Sequence, residues 1–355
     1  MVGNFEVLEM KVQSWQRSVQ LVWLCTTVLV LGGLVQTGAV LPALCVAVLL
    51  CLGQGFWLAL QFRLAAASAA RRAAAGDLQP PPPSRAAWWR AWRVEVALWT
   101  RSFAWHQPWT SRSRQSLLPG EPGAGNVTSG RAILFVHGYL CSGGFWAPWI
   151  HHLRKLNRPY ACVNLQPALA DIDSYAPQIE AEFRRLHAAT GVAPLIVCHS
   201  MGGLAVRAWW RQRLQQGARA GRLAVALDIV GLACPHQGTW VAGLGLGRAA
   251  AQMREGSAWL AELAAFERGL SGKEKPSWVC LYSDCDNMVY PPRNALLDGG
   301  RESLLAGLAH IELAFDPRVV DLVLWLLDES PGSATWGDST MPAGLDVVLT
   351  RPLPL

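Results

Sequence analysis

Nine cysteines in 355 residues include no CxxC pair, and no Cys/His group stands at metal-ligand spacing, so the sequence offers no metal site. Cys25, Cys45 and Cys51 lie inside very apolar stretches, where thiols act as small hydrophobes. Cys280 and Cys285 are close enough in sequence to pair, but free buried thiols in a reducing compartment are the plainer reading. A charge imbalance is also missing from most of the chain. From Gln115 onward there are twenty Lys/Arg against twenty-one Asp/Glu, which gives no nucleic-acid signal. The net charge of +6 comes from the segment before it, with eleven basic against four acidic residues, as suits contact with anionic lipid.

Charge is absent altogether from residues 19–35 and 41–60, two apolar runs close to the roughly 20 residues that span a bilayer. A turn is expected between them in "QTGAVLP", at Gly38 and Pro42. A cleaved signal peptide fits poorly, because the first run is long, starts late and is followed by a second. Lys11 and Arg17 precede the pair and Arg63, Arg71 and Arg72 follow it, while the turn is uncharged. The positive-inside rule then places both ends, and the domain that follows, on the cytoplasmic side of a bacterial-type inner membrane.

Four units are expected: a membrane hairpin over 1–62, a linker and juxtamembrane segment over 63–130, a catalytic domain over 131–330 and an irregular tail over 331–355. The linker holds an Ala-rich stretch and the stiff spacer "QPPPPS". After it Trp88, Trp89, Trp92, Trp99 and Trp105 stand among arginines. Such a helix suits the lipid headgroup level, or it packs its tryptophans on the catalytic domain. From Arg131 short apolar strands alternate with helical periods, the mark of an α/β domain with a mainly parallel sheet flanked by helices. Strands are predicted over 132–136, 160–165, 194–198, 227–233 and 277–282.

The third of these strands halts in "CHSMGG". A strand, a small residue, x-Ser-x-Gly and a helix make a nucleophile elbow, in which a tight turn exposes the serine hydroxyl above the sheet. The serine is Ser200, and Cys198 stands where glycine is usual. "FVHGYL" ends the first strand in His-Gly, which lets the Tyr139 amide join that of Met201 as an oxyanion hole; His137 is expected to shape this loop rather than carry a proton. A serine needs an imidazole to take its proton and a carboxylate to fix the imidazole tautomer. "SDCDNMVYPP" offers Asp284 or Asp286, and His310 follows in the required order. Of the other histidines, His106 precedes the sheet, His151, His152 and His187 read as solvated helix positions, and His199 and His236 sit in turns of their own.

Together "VHGY", "CHSMGG", "CPHQGT", "AQMREGSAWLAEL", "DNMVYPP" and the late His310 resemble the α/β-hydrolase superfamily, and within it the bacterial triacylglycerol lipase and esterase group. The resemblance covers roughly residues 131–327 and does not reach the first 115. It implies Ser200 as nucleophile, His310 as base and Asp286 as the acid of an Asp-x-x-Val-x-Pro pattern. It also implies a cap over 239–270 that borders the acyl pocket. The expectation is a membrane-anchored serine hydrolase acting on acyl, lipid-like esters through an acyl-enzyme, with no metal or organic cofactor and with membrane lipids as its partners. A non-enzymatic membrane scaffold on the same fold, and a thioesterase or amidase, are the alternatives.

Overall fold

The computed structural model describes residues 12–76, 79–110, 115–120, 127, 130–219, 225–332, 342 and 345–349. An eight-stranded sheet is built from β1 (Ser116–Leu117), β2 (Ile133–Val136), β3 (Tyr160–Val163), β4 (Leu195–His199), β5 (Asp228–Leu232), β6 (Ser277–Tyr282), β7 (Arg301–Leu304) and β8 (Val348–Leu349). Their order is β1-β3-β2-β4-β5-β6-β7-β8. The six strands from β3 to β7 run parallel, and both two-residue edges are antiparallel. This is the α/β-hydrolase arrangement, with a mixed rather than wholly parallel sheet.

β2, β4 and β5 are buried along their whole length. That explains why the strands read as continuous apolar runs rather than alternating ones: helices cover both faces of the sheet. Leu134, Val136, Ile196 and Cys198 face one side, where α6 (Ala176–Thr190) and α7 (Met201–Arg219) supply Ile179, Phe183, Leu204 and Trp209. Ile133, Phe135, Leu195 and Val197 face the other, against Trp149 and Leu153 of α5 (Ala147–Lys155) and Val319, Leu322 and Leu326 of α11 (Pro317–Asp328). Three pieces of the sheet fall outside the expected strands. β1 precedes residue 131, β7 carries Arg301 and Glu302, and β8 lies in the segment expected to be irregular. All three are edge or near-edge strands that take their shape from a neighbour rather than from an apolar run.

Ahead of the sheet, α1 (Val12–Gln36) and α2 (Val40–Ala74) pack as a hairpin around a turn in which Gly38 has φ 74°. Among the described residues α1 is the one helix that meets the length and hydropathy expected of a membrane span. α2 does not stop at residue 62, and its 35 residues extend about 52 Å at 1.5 Å each. α3 (Arg85–Thr100) starts at Ser84, whose hydroxyl accepts from the Ala87 amide at 3.1 Å. A π-helical turn (Arg101–His106) and a short α4 (Gln107–Trp109) continue it. The tryptophans of this segment divide into two sets. Trp88, Trp92 and Trp99 are half-buried on the protein, while Trp89, Trp105 and Trp109 face outward.

Candidate active site

β4 ends at His199 and α7 begins at Met201, so Ser200 alone makes the turn, at a φ of 55°. A non-glycine residue in the left-handed region is costly and persists only where its surroundings hold it. The Ser200 amide donates to the Leu232 carbonyl at 2.9 Å, and its carbonyl accepts from Gly203 at 3.1 Å. Side chains around the turn must be absent. A Cβ on Gly202 would lie 2.5 Å from the Val136 carbonyl oxygen, and one on Gly203 would lie 2.5 Å from the Cys234 sulfur. Cys198 fits in place of glycine because its thiol turns into the core, 3.9 Å from the thiol of Cys234.

The loop after β2 runs directly against this turn. A Cβ on Gly138 would come within 2.9 Å of the Ser200 Cβ, so the peptide leading into Tyr139 lies beside the serine. His137 holds the loop from beneath: Nδ1 donates to the Gly138 carbonyl at 2.9 Å and Nε2 accepts from the Leu165 amide at 3.1 Å. Burial pushes its pKa down to about 4, which keeps the ring neutral. The Tyr139 hydroxyl donates to the Leu246 carbonyl at 2.6 Å and accepts from the Leu246 amide at 3.0 Å. The expected oxyanion loop is thereby tied to the segment expected to form a cap.

That segment folds as a 3-10 turn (Trp240–Leu244), α8 (Gly247–Gln252) and α9 (Ala258–Arg268). Its base is fastened by the Thr239 hydroxyl, which donates to the Met288 carbonyl at 2.7 Å, and by an ion pair of Arg207 with Glu267 at 2.6 Å. Leu244 and Leu246 project into solvent.

The two aspartates after β6 separate. The Asp286 carboxylate accepts from His310 Nδ1 at 2.9 Å, and its Oδ1 is held by the amides of Met288 and Val289 at 2.7 and 2.9 Å. Asp284 accepts instead from the Gly307 amide at 2.6 Å, and Ser283 accepts from Leu308 at 3.0 Å. Both of these bonds brace the loop that delivers His310. With Nδ1 donating to Asp286, Nε2 is the basic nitrogen of the neutral ring. Burial works against charge on His310, but the Asp286 carboxylate outweighs it through charge and hydrogen bond, and the pKa lies above 6.5.

Three residues that support the His310 and Asp286 loops escaped the sequence reading. His199 donates from Nε2 to the His310 carbonyl at 3.1 Å, with ring centroids 4.6 Å apart, and stacks on Phe145 at 4.8 Å. Burial keeps His199 far below its ordinary pKa. Its place next to Ser200 was the signal available. Gln61 of α2 accepts from Asn287 at 2.9 Å, and Glu95 of α3 accepts from the Ile311 amide. Neither carried a sequence signal, since both come from helices outside the resemblance. His236 is buried edge-on to Trp278, while His151, His152 and His187 are exposed. Among the described residues no three His, Cys, Asp or Glu side chains are grouped as a metal site requires.

No protein-family model and no curated protein sequence matches the chain. Solved structures do. They include a mature Bacillus licheniformis lipase at 16% identity, TM-score 0.47, covering 59% of this chain and 96% of that one. Lipase B of Aspergillus fumigatus matches at 16% identity and TM-score 0.48, over 61% of this chain and 57% of its own. A monoacylglycerol lipase of Paleococcus ferrophilus matches at 14% identity and TM-score 0.39, over 55% and 93%. At such identities the reaction has to be read from the site itself.

Proposed function

We propose that the protein is a membrane-anchored serine hydrolase of carboxylic esters, with acyl, lipid-like substrates. The observation that carries this reading is the Asp286–His310 hydrogen bond at 2.9 Å, at the same carboxyl end of the sheet where Ser200 is strained to a φ of 55°. A structural loop has no need of a buried carboxylate that fixes an imidazole tautomer.

In this reading His310 Nε2 takes the Ser200 proton as Oγ attacks the ester carbonyl. The carbonyl oxygen gains negative charge and is met by the amides of Tyr139 and Met201. Collapse of the adduct passes the proton from His310 to the departing alkoxide, which leaves as the alcohol, and the acyl group stays on Ser200. Water, deprotonated by His310, then releases the acid. Asp286 fixes the tautomer of the ring and stabilises the imidazolium. The apolar hairpin anchors the domain in the bilayer, and the basic residues on both of its flanks keep the domain cytoplasmic.

The purified full-length Ser200→Ala protein tests this reading. Its hydrolysis of p-nitrophenyl butyrate should fall by roughly 10⁴ or more, since only binding and oxyanion contributions remain. A fluorophosphonate should label the wild type and not the variant. Hydrolysis at the wild-type rate by Ser200→Ala would sink the assignment.

A further inference from the structure

α3 belongs to the N-terminal segment, yet it lays a carboxylic side chain against the triad. Glu95 is 1% exposed, and its two oxygens accept from the Ile311 amide at 3.0 and 3.3 Å. Ile311 is the second residue of α10 (His310–Leu313), the turn that begins with the histidine. A helix start leaves its first amides without partners. The residue in the capping position is Ala309, which has no side-chain acceptor, so this turn cannot cap itself there.

The missing acceptors are supplied from nearby. Glu312 accepts from the Ala309 amide at 3.1 Å, and Arg90 of α3 grips Glu312 at 2.5 Å and the Gly307 carbonyl at 3.0 Å. α3 is itself seated by Ala91, fully buried with Phe62 of α2, Cys285 and Ala309. A catalytic imidazole must stay within about 0.5 Å of its working place, and a turn of four residues is too short to ensure that alone.

We infer that Glu95 is a positioning residue for His310: from a helix outside the catalytic domain, its carboxyl caps the first turn of α10 and holds the imidazole on Asp286. This rests on the reading of His310 as the base.

The groups that face Glu95 are His310 and Glu312 of α10, Asp286 of the acid loop and the Ile311 amide. Burial raises its pKa from 4.5 to about 8, against the pull of His310 and the amide. The carboxyl is therefore mostly neutral at pH 7, and a glutamine can imitate it. Above about pH 8 it ionises and raises the proton affinity of His310, which a glutamine cannot do.

The test compares full-length wild type, Glu95→Ala, Glu95→Gln and Ser200→Ala in detergent, with active sites counted by fluorophosphonate titration except in Ser200→Ala, which is scored per mole of protein. Per titrated site, Glu95→Ala should lose about 10- to 100-fold in kcat with KM within about threefold, as expected of a misplaced catalytic group. Glu95→Gln should stay within about threefold of wild type at pH 7, and its pH profile should part from the wild-type profile only above about pH 8. Wild-type kcat in Glu95→Ala, with Ser200→Ala inactive, overturns the positioning role and leaves the hydrolase reading intact. If Glu95→Ala does not fold, Glu95→Gln decides: a loss of more than about tenfold in kcat per titrated site at pH 7, although its amide oxygen can still accept from Ile311, overturns the inference. Full activity in Ser200→Ala takes down both readings.

Discussion

The two ends of α2 meet different surroundings. Near its start Leu41 is 72% exposed, and across the hairpin Leu29 of α1 is 75% exposed. Further along, Ala65 is 1% and Phe62 5% exposed, and Phe62 packs with Ala91 of α3, Cys285 and Ala309. The inner end also carries Arg63, Arg71 and Arg72, so charge as well as burial sets it apart from the uncharged start. Large side chains exposed in rows have hydrocarbon as their stable surroundings, while those at the inner end already have a protein partner. The hairpin thus leaves its outer end exposed, as the proposed membrane anchor requires, and packs its inner end beside the candidate site.

If that contrast is right, turnover should respond steeply on the inner side and hardly at all on the outer. The largest loss is expected in the acid loop, against which Gln61 packs. Asp286→Asn keeps the shape but stabilises the wrong imidazole tautomer, and kcat should fall by about 10⁴. Asp284→Asn loosens only the Gly307 brace and should stay within roughly tenfold of wild type. Steady-state kinetics on one soluble ester would settle the pair, and the reverse ranking would move the acid to Asp284.

A middle-sized effect is expected where the N-terminal helices touch the histidine loop. Ala91→Leu has no room between Phe62, Cys285 and Ala309, and overpacking should cost about 1–3 kcal/mol. Thermal melting should show the loss, and kcat per titrated site should drop with it as α3 lifts Glu95 from Ile311. An unchanged melting temperature would mean that α3 sits on the domain more loosely than described. The smallest effect on turnover belongs to the outer side. Leu24→Asp with Val28→Asp places two acids on exposed positions of α1, each costing about 3 kcal/mol in a membrane. The protein should shift out of the membrane fraction, while kcat in detergent stays within about twofold. A matching fall in kcat would erase the distinction between the two ends.

The elbow and the acid loop were legible because their chemistry is local. Ser200 needs a strand before it, glycines after it and nothing else to be recognised. His310 was legible by its order after the aspartates, and the Asp-x-x-Val-x-Pro pattern pointed to the aspartate that meets it. Glu95 and His199 were not legible as neighbours of the histidine, nor Gln61 as a partner of the acid loop. A glutamate in an amphipathic helix reads as solvated, and nothing within α3 reveals that it will dock on α10. β1, β7 and β8 escaped for a related reason, since strands of two to four residues at a sheet edge are specified by the strand beside them.

By itself, then, the sequence determined the alternation of buried strands and helices, the strained serine turn and the apolar hairpin. Each of these depends on periodicity, steric room or hydropathy over a short span. Only the tertiary structure decided which aspartate reaches His310, where α2 turns from exposed to buried, and that α3 closes over the histidine. Those outcomes depend on contacts between residues as far apart as Glu95 and Ile311, which no local preference encodes.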